Sequence, residues 1–266
     1  MHDQSQKSRF PLIIGHRGAC AYAPENTLES FQTAMQMGTE WIEFDAKITK
    51  DHVPIIFHDD TLERTTNGNG AVQDYTLEEI RELEAGSWFG DSFTAISIPT
   101  LEEALDILVD RNIGINVELK PCPGREKETS EAVLDVLSQI WDDHQRILIS
   151  SFSHVALEVA QDVAQDWARG LLIGDDSPQM WQDDISQNKL PENWQDTAKT
   201  LDVTTINVQQ DRVTREHIEE IIDAGYTVMA YTVNTPDDAR RLQAWGVDSM
   251  FTDVPDVLQE NLFTVH

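Results

Sequence analysis

Three acidic residues lie on two strand-like segments in positions where their side chains can meet. Successive side chains of a strand point to opposite faces, so Glu43 and Asp45 of WIEFDAK (41–47) share a face that excludes the apolar residues. INVELK (115–120) presents Glu118 in the same way. Taken singly, each carboxylate is as well explained by an ion pair or by solvation at a strand end. Together in one pocket they would repel each other, which predicts one divalent cation; oxygen ligands suit Mg²⁺ or Ca²⁺.

Histidines and basic residues follow similar apolar runs. PLIIGHRG ends in His16 and Arg17, and VPIIFHDD ends in His58. One histidine after an apolar run is more often a packed residue than a catalyst, but a pair can supply a general acid and a general base near neutral pH. Arg17 offers a bidentate fork for a phosphate, and Lys120 offers a point charge. These residue types predict phosphoryl transfer or phosphodiester cleavage.

The elements that must position these residues alternate along the whole chain. Candidate strands cover 11–16, 40–48, 53–58, 113–120, 146–152, 169–174, 203–208, 226–233 and 249–253. Candidate helices cover 26–37, 100–111, 126–143, 153–166, 178–187, 192–199, 214–224, 236–245 and 255–260. About eight β/α units in this length predict an α/β fold, a TIM (β/α)8 barrel forming a single domain over 1–266; a doubly wound open sheet is the alternative.

In such a barrel, catalytic groups collect where the strands end, at the carboxyl-terminal mouth. Both His16 and His58 would then end barrel strands that flank the carboxylates. The interval 59–98 breaks the β/α rhythm with Asn-Gly turn signals, one short helix at 76–83 and an aromatic cluster. We predict a small insertion there, in a loop near the catalytic face, because long loops usually have a purpose; an ordinary long loop with packing aromatics is the alternative.

Composition excludes several partners. Only 19 basic residues stand against 48 acidic ones, and the net charge of −29 repels nucleic acid and anionic membranes. No apolar run is long enough to span a membrane, and the N-terminus has no signal-peptide pattern. We therefore expect a cytoplasmic protein with no membrane partner. Cys20 and Cys122 form no metal or disulfide pattern, so two reduced thiols are expected, both just beyond catalytic strand ends.

A series of short motifs resembles the glycerophosphodiester phosphodiesterase family, most closely its cytoplasmic bacterial branch. In chain order they are HRG (16–18), APENTLESF (23–31), IEFDAK (42–47), HDDTLERTTNG (58–68), AGSWF (85–89), IPTLEEAL (98–105), VELKP (117–121), YTVN (231–234) and GVDSMFTDVPD (246–256). Each motif is weak alone, but the ordered set covers nearly the whole chain. The resemblance implies a TIM barrel with an insertion after the second strand region.

Carried over by position, the resemblance implies a role for each polar candidate. It implies His16 and His58 as the acid/base pair, and Arg17 and Lys120 as the phosphate-binding cations. The implied ligands of the Mg²⁺ or Ca²⁺ ion are Glu43, Asp45 and Glu118. The possible pocket aromatics are Phe57, Trp88, Phe89 and Tyr231, with core packing an equal alternative for the first three. Tyr231 departs from the tryptophan that many members have.

The implied reaction is hydrolysis of small glycerophosphodiesters to sn-glycerol 3-phosphate and an alcohol. In the family picture the metal-coordinated glycerol 2-hydroxyl attacks phosphorus, and a cyclic 1,2-phosphate forms and is opened by water. Two alternatives stay open: a lyase that releases the cyclic phosphate, and a non-catalytic phosphodiester-binding protein. The expected assembly is a monomer or homodimer.

Two further motif residues receive structural interpretations. Asn26 is expected to cap a helix, with Glu29 at the third helical position as in a capping box; contact with the substrate is the alternative. Arg64 is expected to be a buried ion-pair partner of an acidic strand-end group.

Overall fold

Nine strands form one sheet that closes on itself. The structure, a computed structural model, describes residues 9–263. The strands are β1 (Ile13–Gly15), β2 (Trp41–Ile48), β3 (Pro54–Ile56), β4 (Gly114–Leu119), β5 (Ile147–Ser151), β6 (Ala168–Ile173), β7 (Thr205–Gln209), β8 (Thr227–Tyr231) and β9 (Ser249–Thr252). Each overlaps one of the nine candidate strands.

Parallel pairing closes eight of these strands into a barrel. The order runs β1-β9-β8-β7-β6-β5-β4-β2, and β1 also pairs with β2 through Gly15 and Ile42. Every pair in this ring is parallel, as expected when helices connect the strands. The prediction of a TIM barrel is confirmed, and the open doubly wound alternative is wrong.

The segment VPIIFH does not contribute a barrel strand, so the assignment of His58 to a barrel unit is wrong. β3 runs antiparallel to the end of β2, with Ile48 opposite Pro54 and Ala46 opposite Ile56. β2 has eight residues and extends past its pairing with β4, which ends at Ala46. The hairpin of β2 and β3 therefore folds back over the mouth of the barrel and brings His58 to the level of the carboxylates.

The part of the chain that the structure describes contains ten α-helices. They are α1 (Leu28–Gln36), α2 (Leu77–Ile80), α3 (Leu101–Leu108), α4 (Glu126–Ile140), α5 (His154–Val163), α6 (Gln182–Ser186), α7 (Trp194–Thr200), α8 (Arg215–Asp223), α9 (Pro236–Trp245) and α10 (Pro255–Phe263). The capping prediction for Asn26 is wrong by one residue. Thr27 is the N-cap of α1, and its hydroxyl accepts the Ser30 N–H at 3.2 Å.

Apolar residues pack on both the outer and the inner face of the barrel wall. Outside the barrel, Ile42, Phe44 and Ala46 pack into a buried cluster with residues of α1, α3, α4 and α5. Inside, the side chains of Phe10, Ile14, Trp41, Leu148, Ala168, Met229 and Phe251 form a second cluster that closes the barrel interior. Because strand residues alternate, the apolar face of β2 holds the strand while its polar face is free for the site.

The interval 59–98 forms a small structure of its own beside the hairpin. It contains α2 and two short 3₁₀ turns at 72–74 and 91–93. Its buried residues, including Leu62, Val72 and Ile80, pack with Ile55 and Phe57. The assignment of one domain over 1–266 with an insertion at 59–98 stays a prediction.

Phe31 on α1 tests the packing that holds β2. Phe31 is fully buried, and the centre of its ring lies 5.4 Å from that of Phe44. Phe44 lies between the two acidic residues of β2 in the sequence. Phe31→Ala should lower the free energy of unfolding by about 3–5 kcal/mol, because it removes a large buried side chain and leaves a cavity. Urea denaturation measures this, with Phe263→Ala at an exposed position as the matched control. Equal effects of the two substitutions would contradict the packing described.

Candidate active site

Three carboxylates meet at the mouth of the barrel, as their strand positions predicted. Asp45 on β2 lies opposite Glu118 on β4, and Glu43 lies two residues below Asp45 on the same face. One carboxylate oxygen from each residue lies within 4.8 Å of the others; Glu43 and Asp45 are buried, and 11% of the Glu118 side chain is exposed. The trio therefore has the oxygen chemistry and the spacing of a site for a hard divalent cation.

The charge balance of the trio favours such an ion. Burial, together with the Asp45 and Glu118 carboxylates, raises the pKa of Glu43 well above its ordinary value. Burial also raises the pKa of Glu118. For Asp45 burial acts the same way, but His58 and Arg17 outweigh it and hold its pKa below the ordinary value. The protein's own positive groups thus favour the ionised form of Asp45 but not those of Glu43 and Glu118, which a bound divalent cation would stabilise.

Arg17 and Lys120 contact different members of the trio. The Arg17 N–H donates to Glu43 at 2.8 Å, and its guanidinium Nε lies 3.3 Å from Asp45. The Lys120 ammonium lies 3.2 Å from both Glu118 and Asp176. Burial alone would lower the pKa of Lys120, but Glu118 and Asp45 raise it, so both side chains stay cationic beside the carboxylates.

A tight turn after β1 positions His16. Gly18 adopts a left-handed φ of 89°, and a Cβ there would lie 2.2 Å from the Ser30 hydroxyl of α1, so only glycine fits. His16 Nδ1 lies 2.6 Å from an oxygen of Asp253, just after β9. Burial raises the pKa of Asp253, but hydrogen bonds from His16 and Cys20 outweigh burial and lower it. An ionised Asp253 therefore orients the His16 ring.

His58 is held in a similar way at the end of the hairpin. Its Nδ1 lies 2.5 Å from Asp59, and the Phe57 N–H donates to the Asp45 carbonyl at 2.9 Å. Lys47, fully buried on the polar face of β2, donates to the Asp59 carbonyl oxygen and to Asp60. Each histidine thus has a carboxylate at Nδ1, which leaves Nε2 for a molecule bound in the mouth.

An ion-pair network joins the two histidine loops. Glu25 accepts hydrogen bonds from Arg17 at 2.6 Å and from Arg64 at 2.7 Å and 2.8 Å. Arg64 also donates to both oxygens of Asp59, at 2.7 Å and 2.8 Å. Arg64 is an ion-pair partner of an acidic group, as predicted, but the prediction that it is buried is wrong, because 45% of its side chain is exposed.

Asn26 acts on the trio instead of capping a helix. Its backbone has a left-handed φ of 58°. Its amide donates to Asp45 Oδ2 at 2.8 Å, and its Oδ1 accepts the Asp45 backbone N–H at 3.2 Å. Asparagine tolerates this conformation better than most residues, and here the conformation turns its side chain toward β2. Asn26 therefore fixes the Asp45 carboxylate.

A cavity of about 420 Å³ lies over these groups. His16, Arg17, Glu43, His58, Glu118 and Lys120 line it. Of the predicted aromatics, Tyr231 lines it, and its hydroxyl donates to the Ile173 carbonyl at 3.1 Å. Phe152 and Phe251, which were not predicted, are the other aromatic residues of the cavity wall in the described part of the chain.

The remaining predicted aromatics lie elsewhere. Phe57 is buried in the cluster around the 59–98 interval, which agrees with the core-packing alternative. The rings of Trp88 and Phe89 pack edge-to-face with centroids 5.6 Å apart, and Trp88 is exposed.

Cys20 and Cys122 are free thiols, as predicted, with different neighbours: Cys20 donates to Asp253, whereas Cys122 lies 4.0 Å from Lys47.

In this barrel the two histidines, the acidic trio and the two cations surround one cavity, and together they have the groups that phosphodiester cleavage needs. Comparison with known proteins agrees. The model of the Glycerophosphoryl diester phosphodiesterase family matches residues 16–257. The chain belongs to this family, so the predicted family and the predicted enzyme class are confirmed.

Relatives align along nearly their whole length. A glycerophosphodiester phosphodiesterase of Caldanaerobacter subterraneus is 34% identical, covering 93% of this chain and 96% of that protein. One of Bacillus subtilis is 32% identical, covering 94% and 85% respectively. The structure of an Oleispira antarctica phosphodiesterase in complex with the product sn-glycerol-3-phosphate is 36% identical, with a TM-score of 0.88 and coverage of 97% and 98%.

Stability measurements test the metal site independently of activity. Wild-type protein should gain unfolding free energy on adding Mg²⁺ or Ca²⁺, about 2.7 kcal/mol at a concentration one hundred times the dissociation constant. Glu43→Gln should raise the melting temperature in EDTA, because it replaces a buried acid whose ionisation is disfavoured by burial and by Asp45 and Glu118, and should lose most of the metal-dependent gain. Glu260→Gln, at an exposed position, serves as the control. A variant that keeps the full metal-dependent gain would remove Glu43 from the ligand set.

Proposed function

We propose that this protein hydrolyses glycerophosphodiesters to sn-glycerol 3-phosphate and an alcohol. Family membership supports the reaction class. The observation that carries the proposal is the pair of histidines, each bonded through Nδ1 to a carboxylate and both lining the cavity that holds the acidic trio. A protein that only bound phosphodiesters would not need two oriented proton carriers.

The two histidines carry the proton transfers. One removes the proton from the glycerol 2-hydroxyl, which attacks phosphorus, and the other protonates the departing alcohol. The product of this first step is a cyclic 1,2-phosphate, which water opens while the histidines exchange roles. Attack by a group of the same substrate exploits proximity, which is worth about 7–11 kcal/mol in well-oriented cases. Diesters that lack a neighbouring hydroxyl should therefore be poor substrates.

The cations and the trio hold the charged part of the substrate. Arg17 and Lys120 bind phosphate oxygens and stabilise charge that develops on them. Glu43, Asp45 and Glu118 would hold one Mg²⁺ or Ca²⁺ ion, with Asn26 fixing the Asp45 carboxylate. Such an ion, when bound, supplies Lewis-acid polarisation and neutralises negative charge.

We also propose a cellular location, an assembly state and a class of partners. We place the enzyme in the cytoplasm as a monomer or homodimer, acting on small molecules without nucleic acid or membrane partners. The net charge of −29 and the two free thiols support this placement. Within residues 9–263, no helix has the length and apolar character needed to cross a membrane.

Replacement of either histidine tests the acid/base assignment. His16→Ala and His58→Ala should each lower kcat by about 10²- to 10⁴-fold toward glycerophosphocholine, since positioned proton transfer contributes that much. His144→Ala, at an exposed position, is the matched control and should retain wild-type turnover. Wild-type turnover in both active-site variants would contradict the proposed acid/base roles of the two histidines.

Product analysis separates hydrolase from lyase. Phosphorus NMR of a complete reaction should show sn-glycerol 3-phosphate as the final product, because the reversed histidine roles open the cyclic phosphate. Accumulation of cyclic 1,2-phosphate without glycerol 3-phosphate would instead establish the lyase alternative. Binding of glycerophosphocholine without any product would establish the non-catalytic one.

A further inference from the structure

The floor of the cavity below the carboxylate trio is polar but uncharged. Asn116 on β4, Ser150 on β5 and Asn207 on β7 line it, and each side chain is at most 1% exposed. Asn116 lies opposite Glu43 in the β2–β4 pairing, so the floor begins directly beside the trio. The proposed reaction gives these neutral side chains no role.

Each amide on this floor uses only one of its two polar atoms. Asn116 Nδ2 donates to the Ser150 hydroxyl at 2.9 Å, and the Thr205 hydroxyl donates to Asn207 Oδ1 at 2.8 Å. Asn116 Oδ1 and Asn207 Nδ2 are buried and have no hydrogen-bond partner among the described residues. Rotating either amide by 180° would only exchange which of its atoms is unpaired. Buried polar atoms normally have partners, so these two indicate a ligand.

A glycine keeps the floor open between the two amides. Gly170 on β6 lies opposite Ser150 on one side and Thr205 on the other. A Cβ at this position would lie 2.6 Å from the Thr205 hydroxyl and 3.3 Å from Asn207 Nδ2. A side chain at this position on β6 would therefore disturb the Asn207 end of the floor.

We propose that Asn116 and Asn207 bind the terminal hydroxyl of the substrate's glycerol group and thereby select glycerol over other vicinal alcohols. This inference rests on the proposed function, in which the phosphate and the 2-hydroxyl of the substrate bind beside the carboxylate trio and the two histidines. The carbon next to the 2-hydroxyl then carries the remaining hydroxyl toward the adjoining floor. One unpaired acceptor and one unpaired donor match a hydroxyl, which both donates and accepts.

The same groups should reject an analogue without that hydroxyl. A site built to hydrogen-bond a substrate hydroxyl leaves its own buried polar groups unpaired when the hydroxyl is missing. The analogue of choice is the phosphocholine diester of propane-1,2-diol, which keeps the reactive 2-hydroxyl and the leaving alcohol. Wild-type enzyme should show a kcat/KM at least about tenfold higher for glycerophosphocholine than for this analogue.

The test compares that ratio between variants. Asn207→Leu and Asn116→Leu keep similar side-chain volume but cannot hydrogen-bond, so each should bring the ratio toward one. Asn261→Leu, at an exposed position on α10, should keep the wild-type ratio. Melting curves identify any variant that fails to fold, and the other floor variant then decides.

The outcomes distinguish the two proposals. Absence of turnover of glycerophosphocholine by wild-type enzyme would overturn the proposed function. Turnover of both diesters with equal kcat/KM would leave that function standing and overturn the role of the floor. A tenfold or larger wild-type ratio that persists in both folded floor variants would also overturn it, since discrimination would then arise elsewhere in the cavity.

Discussion

Three carboxylates, two of them buried and the third nearly so, have oxygens within 4.8 Å of one another, and this crowding is the constraint on which the rest of the mouth depends. Their mutual repulsion and loss of hydration would be very costly without positive charge and hydrogen bonds nearby. Arg17, Lys120 and the Asn26 amide supply part of this compensation. Burial still raises the pKa of Glu43, so a bound divalent cation would stabilise the ionised site further.

The same constraint explains why the histidine loops are tied together. Arg17 contacts the trio and also pairs with Glu25, which pairs with Arg64, which in turn pairs with Asp59 beside His58. A displacement of one loop therefore strains the ion pairs of the other. Asp253, just after β9, orients His16. The two histidines and the acidic centre are thus positioned as one unit, which the proposed reaction requires.

Local pattern sufficed for much of this arrangement. Side-chain alternation along β2 and β4 predicted that Glu43, Asp45 and Glu118 share one face, and apolar runs predicted every strand. The direction of β3 was missed because an apolar run carries no information about its pairing partner. Asp253 lies 237 residues from His16, and Glu25 meets Arg64 across 39 residues. Such contacts depend on barrel closure and on the hairpin, not on local sequence. The helix cap was assigned to Asn26 instead of Thr27 because both residue types are good caps. The left-handed backbone of Asn26 turns its side chain toward β2 instead.

Hydrolysis of the phosphodiester is proposed to depend on the acidic trio and on a divalent cation that it would hold. The most direct measurement is release of sn-glycerol 3-phosphate from glycerophosphocholine by purified protein, first in EDTA and then with Mg²⁺ or Ca²⁺ restored, beside Glu43→Ala. We expect no release in EDTA, release by wild-type protein once the cation returns, and none by the variant. Equal release in EDTA, or undiminished release by Glu43→Ala, would contradict the account.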